Sequence, residues 1–331
     1  MGPRVSLHCT ELLSKQMEIA LGEIGEIDIG KRQLAAVVSD LHAGADIPGV
    51  VDDIGIDQCA RMGGAAGIIA SVGDDDFGRI NVERLRADGA DVSAISVSRD
   101  YPTGSAFVRY RDDGSRDFVF NIAKSAAAQI SLNEASKALI AGAGHLHVMG
   151  TAFAIPGAWE ITEHAIDVIK ARSGSVSFDP NVRKELLAHA ETKARFARLV
   201  EIADLILPSG QELFVAAGVE GEAEAIKALL SRNASEVALK RGEAGSTFFG
   251  KDGSRIDCPA FRVEEIDPTG AGDCFGGAYV ACRRLGMPAG KALDYANAAG
   301  ARNVTVKGPM EGAGTRAELD AFIATTPRRT P

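Results

Sequence analysis

The segment Ile266-Asp-Pro-Thr-Gly-Ala-Gly-Asp273-Cys-Phe-Gly-Gly-Ala-Tyr-Val sets a carboxylate directly after Gly270, Ala271 and Gly272, residues with almost no side chain. Such a stretch lets a ligand come close to the backbone. It reads as a loop running into a helix from about Ala271 to Leu285, ended by Arg283 and Arg284 in the last turn, then Gly286 and Pro288. The first turn of a helix presents unpaired N–H groups and a positive dipole end, an anion site suited to a transferring phosphoryl group. A carboxylate beside an anion site is unfavourable unless it has a task. Asp273 could take the proton of a hydroxyl attacking phosphorus; it could instead cap the helix.

Other clusters are weaker. His145 and His147 share one face of a strand, which would suit a metal, but no third ligand is evident and packing at a strand end is the simpler reading. Asp74, Asp75 and Asp76 read as a solvated helix start rather than a calcium site. Gly286-Met-Pro-Ala-Gly-Lys-Ala292 is one residue short of a P-loop and lacks Ser or Thr after Lys291. Trp159, shortly after Pro156, reads as packing at a helix start.

The elements around the glycine-rich segment follow from hydrophobic period. Strands are expected near 144–149, 174–179, 204–207 and 235–240, with helices near 131–141, 156–172, 184–202 and 211–231 between them. That alternation implies an α/β fold with a mostly parallel sheet covered on both faces. Residues 18–38 read as one or two strands, 52–62 as a helix ended by Gly63-Gly64, 68–72 as a buried strand and 77–85 as a helix. Period two returns at 92–98, 105–111 and 116–121, the last two joined by the turn Asp112-Asp113-Gly114-Ser115, so a hairpin in a separate small sheet is expected. A second antiparallel pair is expected near 244–257, and two or three helices close the chain.

Composition narrows the function. The chain has 331 residues, 46% of them hydrophobic but only 5% aromatic, so Val, Ile, Leu and Ala must build the core. A formal charge of −9 argues against nucleic acid and anionic membranes as partners. Five cysteines without a CxxC pair argue against a disulfide framework or zinc ribbon and for a reduced, cytoplasmic compartment. No apolar run is long enough to span a bilayer, and residues 1–17 read as a leader without a signal peptide's apolar stretch.

Five motifs occur in one order: GGAAGIIASVGDDDFG from Gly63 to Gly78, Phe178-Asp-Pro-Asn-Val-Arg183, Leu207-Pro-Ser-Gly-Gln-Glu212, Leu239-Lys-Arg-Gly-Glu-Ala-Gly245, and Asp267-Pro-Thr-Gly-Ala-Gly-Asp273. Together they resemble the ribokinase-like (PfkB-type) carbohydrate kinases. The DxNxR element from Asp179 to Arg183 is similar to the fructokinase and ketodeoxygluconate-kinase branches, and Ile54 to Arg61 to kinases grouped with tagatose kinase. The resemblance implies a three-layer α/β sandwich over residues 18–325, with a β lid from about 25–50 and 92–122. It implies Asp273 as base and Gly270, Ala271 and Gly272 as anion hole, with Lys240, Gly242, Gly245, Thr269 and Asn297 around ATP. It implies Asn181 and Arg183 near the sugar or its phosphate, Glu212 placing a hydrated Mg2+, and a K+ ion near Asp267 and Gly308.

Two family positions differ: Ser209 stands where Asn is usual, and Gly49-Val-Val-Asp52-Asp53 replaces the usual Gly-Gly and Asn. Gly49, Asp52 and Asp53 could bind sugar hydroxyls, or the two aspartates could cap the next helix. The resulting expectation is ATP-dependent phosphorylation of a primary hydroxyl of a small sugar, with a ketohexose such as tagatose or fructose first and 2-keto-3-deoxygluconate second. Arg109, Arg111 and Arg183 could pair with the carboxylate of that sugar acid. A non-catalytic sugar or nucleotide sensor and a nucleoside kinase are the competing readings. A homodimer through the edges of the lid strands is expected as well.

Overall fold

The computed structural model describes residues 44–46, 53–110, 116–150, 153, 155–181 and 189–330. The strands expected within 18–38, the leader, the turn 112–115, Gly49, Asp52, Arg111 and Arg183 lie outside these residues, as do the side chains of Asp53 and Arg109.

Alternating apolar patterns fold as α/β units. A sheet takes the order β1 (Gly44–Asp46), β6 (His145–Met149), β7 (Ser175–Asp179), β8 (Leu205–Ile206), β9 (Glu236–Lys240), β10 (Ser246–Gly250), β11 (Arg255–Cys258). Strands β6 to β9 run parallel, and the flanking strands are antiparallel. Between the parallel strands lie α4 (Pro156–Ala171), α5 (Ala190–Ile202), α6 (Glu212–Ala217) and α7 (Glu222–Ser231), after α3 (Glu134–Gly142) has led into β6. The chain closes with α8 (Ala271–Arg284), α9 (Ala289–Asn303) and α10 (Arg316–Thr325).

Both faces of the sheet are covered, and the register shows it. Val237 and Leu239 point into a core shared with Leu139, Ile161, Leu199 and Leu229, whereas Ala238 points into one shared with Cys59, Phe275, Tyr279 and Leu293. Successive strand residues face opposite sides, so each strand must be apolar in both directions.

Three expectations are corrected. The helix expected over 211–231 is two helices, α6 and α7, because Gly218 ends α6 in the left-handed region at φ 74° and Gly221 follows at φ 90°. Strand β3 (Asp91–Ser98), expected with the lid hairpin, pairs in parallel with β2 (Gly67–Gly73). Every residue of β2 is buried, so its backbone polar groups need a neighbouring strand. Residues 44–46, expected in the lid, instead pair with β6 at the sheet edge. The hairpin itself, β4 (Ser105–Tyr110) with β5 (Arg116–Asn121), forms a two-stranded sheet of its own. Before it come α1 (Asp53–Arg61) and α2 (Asp76–Ala87). Asp75 is the N-cap of α2 and also accepts from Thr103 N and Oγ1 at 2.8 and 2.7 Å, a structural tie rather than a solvated end.

The second face of β6 and β7 is polar. Ser175 Oγ lies 2.7 Å from His145 Nδ1, and Ser177 Oγ lies 2.7 Å from both His145 Nε2 and His147 Nδ1. Both imidazoles are buried and hydrogen-bonded within the sheet. Burial pushes both rings down, His147 to about 3 with help from the Lys240 charge, and both stay neutral at pH 7. The unfolded chain takes these protons near pH 6.5 and the folded chain does not. For His147 the stabilisation is therefore complete above that pH and is lost as pH falls toward 3, by about 1.4 kcal/mol per pH unit. In urea denaturation at pH 7.5, 6.5 and 5.5, His147→Gln should lose stability less steeply with acid than the wild type. Equal slopes would show that His147 takes no part in acid sensitivity.

Candidate active site

Helix α8 starts where a backbone constraint puts it. Gly270, its N-cap, has φ 76°, and a Cβ there would stand 2.0 Å from Pro309 O, so no side chain fits. Asp267 is buried and ties the neighbouring loops together. Its Oδ1 accepts from Thr269 N and Oγ1 at 3.0 and 2.7 Å, and its Oδ2 accepts from Gly308 N at 3.0 Å. Asn303 Nδ2 donates to Thr269 O and Pro309 O at 2.8 and 3.1 Å, closing the same knot. With the loop fixed, the N–H groups of Gly272 and Asp273 lie between Ala271 N, bonded to Pro268 O, and Cys274 N, bonded to Gly270 O.

Across from this helix start, β9 ends at Lys240 and β7 at Asp179. Lys240 Nζ stands 2.5 Å from Asp179 Oδ2, with Asp179 almost wholly buried. A Cβ added to Gly272 would lie 3.8 Å from that ammonium nitrogen, and one on Gly276 would lie 3.9 Å from the Asp179 carboxylate. The pair thus sits directly beneath the first turn of α8. Burial works against the Lys240 charge, but Asp179, Glu212 and Asp273 outweigh it and raise its pKa, so it stays cationic. Burial pushes Asp179 up to about 6 against the pull of Lys240. Asp179 Oδ1 is buried without a hydrogen-bond partner among the described residues.

Glu212, at the start of α6, accepts at Oε2 from Ser209 N and Oγ at 2.8 and 2.6 Å. Ser209 in turn bridges the backbone of Lys240, whose N donates to Pro208 O at 2.9 Å. Hard oxygen donors suit Mg2+, and the Glu212 carboxylate with the unpartnered Asp179 Oδ1 fits a hydrated ion. Three side-chain ligands do not converge among the described residues, so placement would run through water.

A cavity of about 240 Å3 opens beside this arrangement. The expected residues Lys240, Gly242, Gly245, Ala271, Gly272 and Asn297 line it. Gly245 has a structural reason too: φ is 98° and a Cβ would meet Cys258 O at 2.1 Å. Asn297 Nδ2 is held by Cys258 O at 3.1 Å. Thr269, expected around the nucleotide, follows the cavity-lining Pro268 and donates its hydroxyl to Asp267 Oδ1 in the loop knot. Asn181 follows β7 at φ 31°, a conformation Asn tolerates better than most residues.

Asp179 is the site residue that motif reading passed over. It opens the DxNxR element, and its signal was a carboxylate ending a buried strand opposite the lysine that ends β9. A further unforeseen residue, Arg329, lines the cavity far from any motif.

A parallel sheet with a glycine-opened helix start, a buried cation beneath it and a carboxylate in its first turn define a phosphoryl-transfer enzyme of the α/β class. Residues 58–316 match the pfkB family carbohydrate kinases, and the chain belongs to that family. A 2-dehydro-3-deoxygluconokinase of Bacillus subtilis (strain 168) is 30% identical over 270 residues, covering 80% of this chain and 83% of the relative. An E. coli protein provisionally named Ribokinase II, solved with ATP and Mg2+, is 38% identical with a TM-score of 0.78, covering 91% of this chain and 94% of the other. A double mutant of fructokinase from Vibrio cholerae O395, with fructose, ADP and a potassium ion bound, is 27% identical with a TM-score of 0.70, covering 82% and 89%. The fold is ribokinase-like, and the protein is a carbohydrate kinase.

Replacing Lys240 alone separates structure from catalysis poorly, since stranding Asp179 in the interior costs about 3–5 kcal/mol. The double variant Lys240→Met/Asp179→Leu removes both charges. It should recover most of the stability that Lys240→Met loses in denaturant melts, while ADP release stays about 10²-fold or more below wild type. Turnover that returns along with stability would reduce the pair to a structural role.

Proposed function

We propose that the protein moves the γ-phosphoryl group of ATP onto a primary hydroxyl of a ketohexose of the fructose or tagatose type. The observation that carries this reading is the placement of Asp273 in the first turn of α8, above the Lys240 cation. Asp273 accepts the hydroxyl proton as the oxygen attacks phosphorus in line. The Gly272 N–H of the Gly270-Ala271-Gly272 turn and the Lys240 ammonium meet the charge on the transferring oxygens. The rest of the nucleotide lies in the cavity lined by Gly242, Gly245 and Asn297. Glu212 would place a hydrated Mg2+, which would supply charge neutralisation for the phosphates. A K+ ion would sit by the Asp267 loop, where Asn303 Oδ1 is buried without a hydrogen-bond partner among the described residues. The β4–β5 hairpin acts as the lid over the sugar, and Asn181, Arg183, Gly49, Asp52 and Asp53 are the residues proposed to bind it.

The second reading is a sugar-acid kinase for 2-dehydro-3-deoxygluconate. The Bacillus relative supports it, and Arg183 would pair with the carboxylate. Among the described residues the hairpin pairs with no third strand, which supports a homodimer. The buried thiols of Cys258 and Cys282 support a reducing, cytoplasmic compartment.

ADP release measured with MgATP and fructose, tagatose, psicose, ribose, 2-dehydro-3-deoxygluconate or adenosine should be fastest with a ketohexose. Asp273→Asn should lower kcat by about 10²–10⁴-fold with that sugar. Undiminished kcat in the variant would remove Asp273 from the reaction, and preference for the sugar acid would select the second reading.

A further inference from the structure

The chain does not end its packing with α10. Arg262 N donates to Pro327 O and Arg329 N to Ala260 O, both at 2.8 Å, and Phe261 and Arg328 form an antiparallel bridge between these two bonds. Residues 327–329 are thereby laid as a short strand along the segment that leaves β11. Arg328 pins it. Its guanidinium lies 3.9 Å over the Phe261 ring and donates to Pro259 O at 2.8 Å and to Asp294 at 2.7 Å. Adjacent strand residues point opposite ways, so Arg329 is delivered elsewhere, to the rim of the cavity. There its Nη1 lies 2.8 Å from Glu243 Oε2, in the turn that also carries Gly242. All these tail residues lie beyond the 58–316 span that matches the family.

The cavity lining is divided by chemistry. Lys240 and Gly272 belong to the charged, helix-start part, and Phe261, Val263, Ala301 and Val304 provide apolar wall. A nucleotide whose phosphates face Lys240 must put its base and ribose against the apolar wall, where Glu243, Glu265 and Arg329 are the remaining charged groups of the lining and Arg329 is the cation among them. We propose that Arg329 is a nucleotide-binding residue of this kinase: its guanidinium plane stacks on the purine base, and Glu243, held beside it, accepts from the ribose hydroxyls. Arg328 is the positioning residue that brings Arg329 there.

This inference rests on the cavity being the ATP site, and binding measured without sugar separates the two ideas. Isothermal titration of the full chain with ADP and, separately, with inorganic triphosphate is the readout, for wild type, Arg329→Ala, Arg329→Lys and Arg328→Ala. Arg329→Ala should weaken ADP binding by about 3–30-fold, the range of a cation stacked on an aromatic face. It should leave triphosphate binding unchanged. Arg329→Lys should recover little, since an ammonium has no plane to stack, and Arg328→Ala should behave like Arg329→Ala. In turnover assays, the KM for ATP should rise by the same factor while kcat and the sugar KM hold. ADP affinity unchanged in Arg329→Ala overturns the role of the tail, as does an equal loss for triphosphate, which would make Arg329 a phosphate contact. A wild type that binds neither ADP nor ATP overturns the nucleotide reading of the cavity and the tail's role with it.

Discussion

A lysine and an aspartate buried together under a helix start constrain the rest of this molecule. Charges in an interior are costly unless each meets its partner closely, and losing one partner costs more than removing both. Lys240 and Asp179 satisfy that condition at 2.5 Å. The register through β8 sets Asp179 level with Ala238, so Lys240, two residues further along β9, reaches back to it. Helix α8 must then come close enough to cover the pair. Glycines make that possible: side chains at Gly272 and Gly276 would project toward Lys240 and Asp179, and a Cβ on Gly277 would press to 2.2 Å from Gly55 O in α1. The helix carrying Asp273 is therefore fixed from below by a polar row of the sheet and from the side by α1.

The polar row runs the length of α8. At the far end Glu236 on β9 pairs with Arg283, and Tyr279 also reaches toward that carboxylate. At the near end are Asp179 and Lys240, and between lie the two histidines and their serines on β6 and β7. A sheet face that could have been apolar is polar and hydrogen-bonded instead. Such a face specifies how the covering helix slides and rotates more narrowly than apolar packing does, because each polar atom left unpaired in the interior is penalised. At the far end, where Tyr279 and Arg283 meet Glu236, hydrogen bonds tie α8 to the sheet.

Much of this was legible in the sequence. Arg283, Arg284 and Gly286 marked the end of α8, and Gly270 to Asp273 marked its start, because caps and charges act locally. The apolar strands near 145, 175, 205 and 236 were equally plain, since strands buried on both faces carry apolar residues in both directions. What stayed hidden depends on pairing over distance. Asp179 looked like one letter of a motif until Lys240, 61 residues later, was placed against it. The alternation of Val92 to Ser98 fitted a hairpin strand as well as the parallel partner of β2 that it is. Thr269 carried no sign that a neighbouring carboxylate would claim its hydroxyl. The tail beyond α10 has no apolar period at all, and its position follows from two backbone bonds and one stacked arginine.

The departure at Ser209 bears on how much of the site depends on residue identity and how much on orientation. Asn at that position would offer an amide to its surroundings; Ser209 offers only a hydroxyl. Yet its N–H and hydroxyl both close on the same oxygen of Glu212, which fixes the carboxylate in direction. Through the Ser209–Lys240 bridge, the same short segment also sets the end of β9. The carboxylate proposed to place the metal and the cation proposed to meet the phosphoryl group thus share one backbone register. Main-chain bonds set that register, and the Ser209 hydroxyl adds a second hydrogen bond that holds the Glu212 carboxylate within it.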